Sequence, residues 1–147
     1  MFTLIKNGYV YAPEELGKKD ILIAADKIAN IDDTIDPAPA LKGLQIMNAE
    51  GKCVVPGFID PHVHITGGGG EGGFRTRTPA ITFTDITTSG ITTVVGCLGT
   101  DGFGRNLVSL IAKARALEED GISTYLYTGS YQLPVTTITG RVENDIM

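Results

Sequence analysis

From Pro56 onward the sequence repeats one rhythm: a short apolar, β-rich run, a loop rich in glycine or hydroxyl residues, then a helical stretch closed by glycine. Gly57-Phe58-Ile59-Asp60 leads into a strand, Pro61 to Ile65, which stops at the glycine run Gly67 to Gly73. Thr78-Pro79 reads as a helix start, a capping hydroxyl followed by proline at the first helical position, and Ser89-Gly90 as its end. Ile91 to Gly96 is β-branched and apolar enough for a strand buried on both faces. Arg105 to Glu119 places Leu107, Leu110, Ile111, Ala114 and Leu117 at helical spacing, and Gly121 stops it. Ile122 to Tyr127 is a third strand, Thr128 to Thr137 a loop, and Thr139 to Met147 the start of another helix. Such alternation predicts an α/β fold, a parallel sheet with right-handed crossovers. A three-stranded open sheet satisfies it. So do the first three units of a (β/α)8 barrel, which needs about 250 residues. In both, the loops after the strands gather at one end, where ligands bind.

The region before Pro56 follows different rules. Thr3-Leu4-Ile5 and Tyr9-Val10-Tyr11 flank Asn7-Gly8, a hairpin signal. Asp20 to Ile23 and Lys27 to Ile31 flank a second turn at Ala24-Ala25-Asp26. Asp33 to Lys42, with Pro37 and Pro39, reads as a surface connection; Gln45 to Ala49 and Cys53 to Val55 are strand-like around Glu50-Gly51-Lys52. The chain thus divides into a small, mostly antiparallel β module over 1–55 and an α/β region over 56–147.

Composition narrows the function classes. A net charge of -5 disfavours nucleic acid as a partner, since phosphates need a basic face. No apolar run approaches the roughly 18 residues of a membrane span, and Met1 to Asn7 has no signal-peptide core, so a cytoplasmic location is expected. Two cysteines, Cys53 and Cys97, make no disulfide framework and read as small buried hydrophobes.

His62 and His64 are the chain's only histidines, and alternate strand residues share a face. Paired imidazoles suit zinc and similar borderline metals, or else are hydrogen-bonded strand-end residues. Asp60, Glu71 and Cys97 are the nearby candidates to join them, none at a standard zinc-motif spacing. Gly67 to Gly73 lets backbone approach a ligand closely, but it does not continue into Gly-Lys-Ser/Thr, so it is no phosphate loop. The lone Glu71 inside it suits a cationic group such as an amine, or else is a solvated loop residue. Thr100 and Tyr131 follow strands, at ligand-facing places in this architecture; either could equally be a loop-packing residue. Arg75 and Arg77 could bind an anion, though exposed arginines seldom contribute much.

Pro56-Gly57-Phe58-Ile59-Asp60-Pro61-His62-Val63-His64 resembles the first-strand motif of the amidohydrolase superfamily, metal-dependent hydrolases with a (β/α)8 barrel beside a small β-sandwich. Gly67 to Gly70 with Glu71, Thr76-Arg77-Thr78-Pro79, Val94 to Asp101, and Thr128-Gly129-Ser130-Tyr131 look more narrowly like the isoaspartyl dipeptidase family. The resemblance implies that His62 and His64 bind the more buried of two zinc ions. It implies that Glu71 receives the α-amino group of a dipeptide, with the backbone of Gly69 and Gly70 at the same end. Thr100 would contact the substrate's polar end, and Tyr131 would polarise the scissile carbonyl.

The family's bridging carboxylated lysine, two further histidines and proton-shuttling aspartate come from later strands. No lysine follows Lys113 and no histidine follows His64. The expectation is therefore the N-terminal portion of such an enzyme, inactive alone, holding zinc weakly or not at all, and oligomeric through its unpaired strand edges. A dihydroorotase-like cyclic amide hydrolase shares Pro-Gly-Phe-Ile-Asp and His-x-His but would not need Glu71 for an amine. A non-catalytic α/β assembly module is the third reading.

Overall fold

A computed structural model describes residues 1–38 and 41–146. Of the segments read above, Pro39 and Met147 lie outside the described residues. The chain divides into two compact units, Met1–Pro56 and Gly57–Met147. Among the described residues, no helix is long and apolar enough to cross a membrane.

The first unit is one five-stranded sheet. β1 (Phe2–Tyr11) pairs antiparallel with β2 (Glu15–Ala24), and β2 with β3 (Lys27–Asp32). β4 (Leu44–Asn48) and β5 (Cys53–Val54) do not form a hairpin; both run parallel to β1, one after the other along its length. The module is therefore mixed rather than mostly antiparallel. Leu4, Val10 and Ile21 are its buried apolar strand residues.

Asn7-Gly8 is not a hairpin turn. β1 runs straight through it, with a register shift between Ile5 and Gly8 and Asn7 at φ 63. Asparagine tolerates this left-handed conformation. The Asn7 N–H leaves the ladder and donates to Asp20 Oδ1 at 2.8 Å, so the extra residue becomes a bulge. Gly8 is glycine for space: a Cβ there would lie 2.6 Å from the Val54 side chain and push β5 away.

The second unit is a parallel sheet in the order β6 (Phe58–Val63), β7 (Ile91–Gly96), β8 (Ser123–Leu126). α1 (Phe83–Thr88) lies between β6 and β7 in the chain, and α2 (Leu107–Glu119) between β7 and β8. A last turn, α3 (Val142–Asp145), is shorter than the Thr139 start anticipates. Asp145 explains the delay: its carboxylate accepts from the Thr139 N–H and hydroxyl, holding that residue outside the helix. Val63, Ile65, Ile86, Val94, Leu110 and Leu117 form the centre of one core between strands and helices. β7 is not buried on both faces, since Thr92 is exposed.

Helix α1 begins four residues later than Thr78-Pro79 suggests. Thr82 caps it, its hydroxyl accepting from the Asp85 N–H while Asp85 accepts in return from the Thr82 N–H. Thr78 is occupied elsewhere: its N–H donates to the Gly68 carbonyl at 2.9 Å, and its hydroxyl accepts from the Gly68 N–H at 2.8 Å. α2 begins after Asn106, which forms the same reciprocal cap with Ser109.

Candidate metal and substrate site

The pleat of β6 brings its two histidines together. His62 lies in the strand, its N–H donating to Asp60 Oδ1 at 3.1 Å; His64 lies one residue beyond the strand end. Their rings stand edge to face, with centroids 5.3 Å apart. The neighbouring strand adds a third group. Cys97 directly follows β7, and its Sγ lies 3.5 Å from His64 Nδ1 and 3.6 Å from the Val63 carbonyl. The potential ligand atoms of His62, His64 and Cys97 all lie within 4.8 Å of one another. His62 is exposed, His64 half-buried and Cys97 buried. Burial pushes the Cys97 thiol above its ordinary pKa, and the Asp60 carboxylate adds to this.

Two glycines hold the His64 ring between them. A Cβ on Gly68 would meet the ring at 3.3 Å, and one on Gly99 would meet Nδ1 at 3.3 Å. Side chains there would crowd the imidazole. Two imidazoles and a thiol converging on one spot are the donor types a zinc-class ion takes. The group fits such an ion as part of a ligand set.

Beside this cluster is a cleft of about 320 Å³, lined by Gly70, Glu71, Thr100, Asp101, Phe103 and Gln132 among others. Glu71 is exposed at its edge. Its carboxyl is held below the ordinary carboxylate range, chiefly by the neighbouring Thr100 hydroxyl, then by its own backbone N–H, with a smaller contribution from His64. Thr100 Oγ1 is buried and makes no hydrogen bond of ordinary geometry among the described residues. Its influence on Glu71 is thus one of proximity. An anionic carboxylate beside an unpartnered hydroxyl can receive a group that carries both a positive charge and an acceptor.

Of the residues singled out from the sequence, His62 and His64 meet each other, and Gly70, Glu71 and Thr100 meet in the cleft. Gly69 belongs to the same loop without lining the cleft. Tyr131 is 81% exposed and does not line it either; its neighbour Gln132 does. Two residues escaped sequence reading. Asp101 is a buried carboxylate in the cleft wall, and Arg105, expected as the first residue of a helix, is buried behind it. The adjacency of Asp101 to Thr100 was the one available signal. Arg77 is exposed, as its sequence setting suggests, and its Nε lies 2.7 Å from Asp101 Oδ2.

A beta-aspartyl dipeptidase from Fervidobacterium islandicum AW-1, solved in complex with beta-Asp-Leu dipeptide, is 49% identical, with a TM-score of 0.90 over 99% of this chain. An amidohydrolase family model matches residues 45–114. Over that stretch the chain is similar to the amidohydrolase family. Shorter stretches resemble further proteins: 46% identity over 68 residues to a dihydroorotase of Staphylococcus aureus, and 42% over 65 residues to dihydropyrimidinase 2 of Caenorhabditis briggsae. Those segments are 46% and 44% of this chain. The chain spans 38% of the length of the dipeptidase structure, 15% of the dihydroorotase and 12% of the dihydropyrimidinase.

Proposed function

We propose that these residues belong to an enzyme that hydrolyses β-aspartyl dipeptides with the help of zinc. The observation that carries the reading is that Glu71 and Thr100 lie side by side in a cleft beside His62 and His64. A β-aspartyl dipeptide keeps a free α-amine next to a free α-carboxylate, because its peptide bond uses the side-chain carboxyl. Glu71 receives the ammonium, and the backbone at Gly69 and Gly70 lies at the same end. The Thr100 hydroxyl donates to the neighbouring carboxylate. Tyr131, in the loop after β8, donates to the scissile carbonyl as negative charge develops on its oxygen.

His62 and His64 would hold one of two zinc ions. Zinc bound there would supply Lewis acidity to the carbonyl and make water acidic enough to attack near neutral pH. The glycines at 68 and 99 keep the His64 ring in one orientation. In this reading the second unit contributes the first three β/α units of a (β/α)8 barrel, and the first unit contributes strands to a β-sandwich. The remaining metal ligands and the proton-shuttling aspartate implied by the family are not among these residues, so this chain alone is inactive. Unpaired strand edges favour assembly into oligomers, and the setting is cytoplasmic.

The test is substrate selectivity of the full-length protein. β-Asp-Leu should be hydrolysed, and the analogue in which the α-amine is replaced by hydrogen should bind far more weakly. Replacing Glu71 by Ala should erase that preference. Unchanged kinetics in the Glu71→Ala protein would remove the basis of the reading. The dihydroorotase match favours one alternative, ring opening of a cyclic amide; preferential turnover of such a substrate would establish it.

A further inference from the structure

Arg105 is 7% exposed, and its guanidinium donates to three backbone carbonyls. Nε donates to the Thr66 carbonyl at 2.9 Å, one terminal nitrogen to the Gly68 carbonyl at 3.1 Å, and the other to the Thr78 carbonyl at 2.7 Å. Thr66 and Gly68 lie where the chain leaves β6, and Thr78 where it returns. The loop between them carries Glu71. Thr78 and Gly68 also bond each other, so the loop has a closed neck with Arg105 stapled across it.

The sequence makes room for this staple. Gly67 has φ +93, and a Cβ there would lie 2.3 Å from the Thr78 carbonyl oxygen and 2.7 Å from the Arg105 guanidinium. Asp101 couples the staple to the opposite wall of the cleft. Its Oδ1 accepts from the Gly104 N–H at 2.8 Å and the Phe103 N–H at 3.2 Å, which shapes the turn after Thr100. Its Oδ2 faces Arg77 at 2.7 Å and Arg105 at 3.6 Å, and these are charge pairings without a directed hydrogen bond. Arg77 comes from the Glu71 loop and Asp101 from the Thr100 loop. Only a planar fork of donors can serve three carbonyls and a carboxylate at once.

We infer that Arg105 is a positioning residue, which with Asp101 fixes the spacing between Glu71 and Thr100 and thereby sets recognition of the substrate's amine-bearing end. This rests on the proposed role of Glu71. Arg105 touches no substrate itself. Its effect is to hold two loops that leave different strands in one mutual register.

The test uses the full-length protein with β-Asp-Leu and three variants: Arg105→Lys, Glu71→Gln and the double variant. Lysine keeps the positive charge but cannot reach three carbonyls. Arg105→Lys should raise KM about tenfold with kcat changed by less than about twofold, and zinc content should be unchanged. KM does not depend on the fraction of folded enzyme, so partial misfolding does not obscure it. The double variant should show the KM of Glu71→Gln alone, because misplacing an absent carboxylate costs nothing more. An unchanged KM in Arg105→Lys, additive KM effects in the double variant, or loss of zinc would each overturn the inference. If Glu71→Gln itself leaves KM unchanged, the amine-binding reading fails, and the inference fails with it. If Glu71→Gln raises KM and Arg105→Lys does not, only the inference fails.

Discussion

The sulfur of Cys97 lies 3.5 Å from Nδ1 of His64, so the side chain that follows β7 meets the imidazole that follows β6. Two strands thus deliver donors to one point, which neither could do alone. Cys97 is 6% exposed, whereas Cys53 is exposed. In zinc-free protein, brief alkylation followed by mass spectrometry should modify Cys53 first, with Cys97 slower by at least about tenfold. Equal rates would contradict the buried placement of Cys97.

Gly99 is a second expectation about this cluster. Its φ is not in the left-handed region, and the three atoms nearest to a Cβ there all belong to the His64 ring. Gly99→Ala should therefore act through the imidazole rather than through backbone strain. Zinc affinity of the full-length protein should fall about tenfold, read by competition with a chromophoric chelator, with little change in melting temperature. A large loss of stability with unchanged affinity would show that the backbone, not the ring, feels the methyl group.

Glu71 carries a prediction in pH. Its carboxyl is held below the ordinary value, first by the Thr100 hydroxyl. A depressed pKa keeps the charged form present to lower pH. KM for β-Asp-Leu should therefore stay flat on the acid side until below about pH 4, the range of a free glutamate. A rise in KM beginning near pH 6 would mean that another group recognises the amine. Thr100→Val should bring the onset closer to the ordinary glutamate range.

The first unit has its own buried charge. Asp20 is 2% exposed; burial pushes its carboxyl up, but the Ile35 and Asn7 N–H groups and the Lys6 ammonium together hold it below its ordinary value. Asp20→Ala would leave two backbone donors without their acceptor and should cost about 3 kcal/mol at pH 7 in urea unfolding. Because the folded pKa is depressed, the contribution is complete above the unfolded value near 3.9 and is lost as pH falls through the lower folded value. The gap between wild type and variant should therefore narrow below about pH 4. A gap independent of pH would show that packing, not charge, is what Asp20 contributes.

Sequence pattern revealed much of the second unit because its punctuation is local. β-branched runs mark β7 and β8, Gly90 and Gly121 stop the helices, and the pairing of His62 with His64 follows from strand alternation. The misreadings have one physical source, competition from distant groups. Asn7-Gly8 becomes a bulge because Asp20, thirteen residues away, takes the Asn7 N–H. Thr78 does not cap a helix because Gly68 and Arg105 take its backbone and hydroxyl. Arg105 gave no signal, since nothing local distinguishes an arginine that turns inward from one that begins a solvated helix. Cys97 was read as a small buried residue, and it is buried; that it also faces His64 depends on the register of β6 against β7.

The central claim is tested most directly by assaying the full-length protein with β-Asp-Leu as isolated, after chelation, and after zinc is restored, beside a cyclic amide of the dihydroorotate type. The account expects dipeptide hydrolysis that chelation abolishes and zinc restores, with little ring opening. Ring opening without dipeptide turnover, or dipeptide turnover indifferent to chelation, would contradict it.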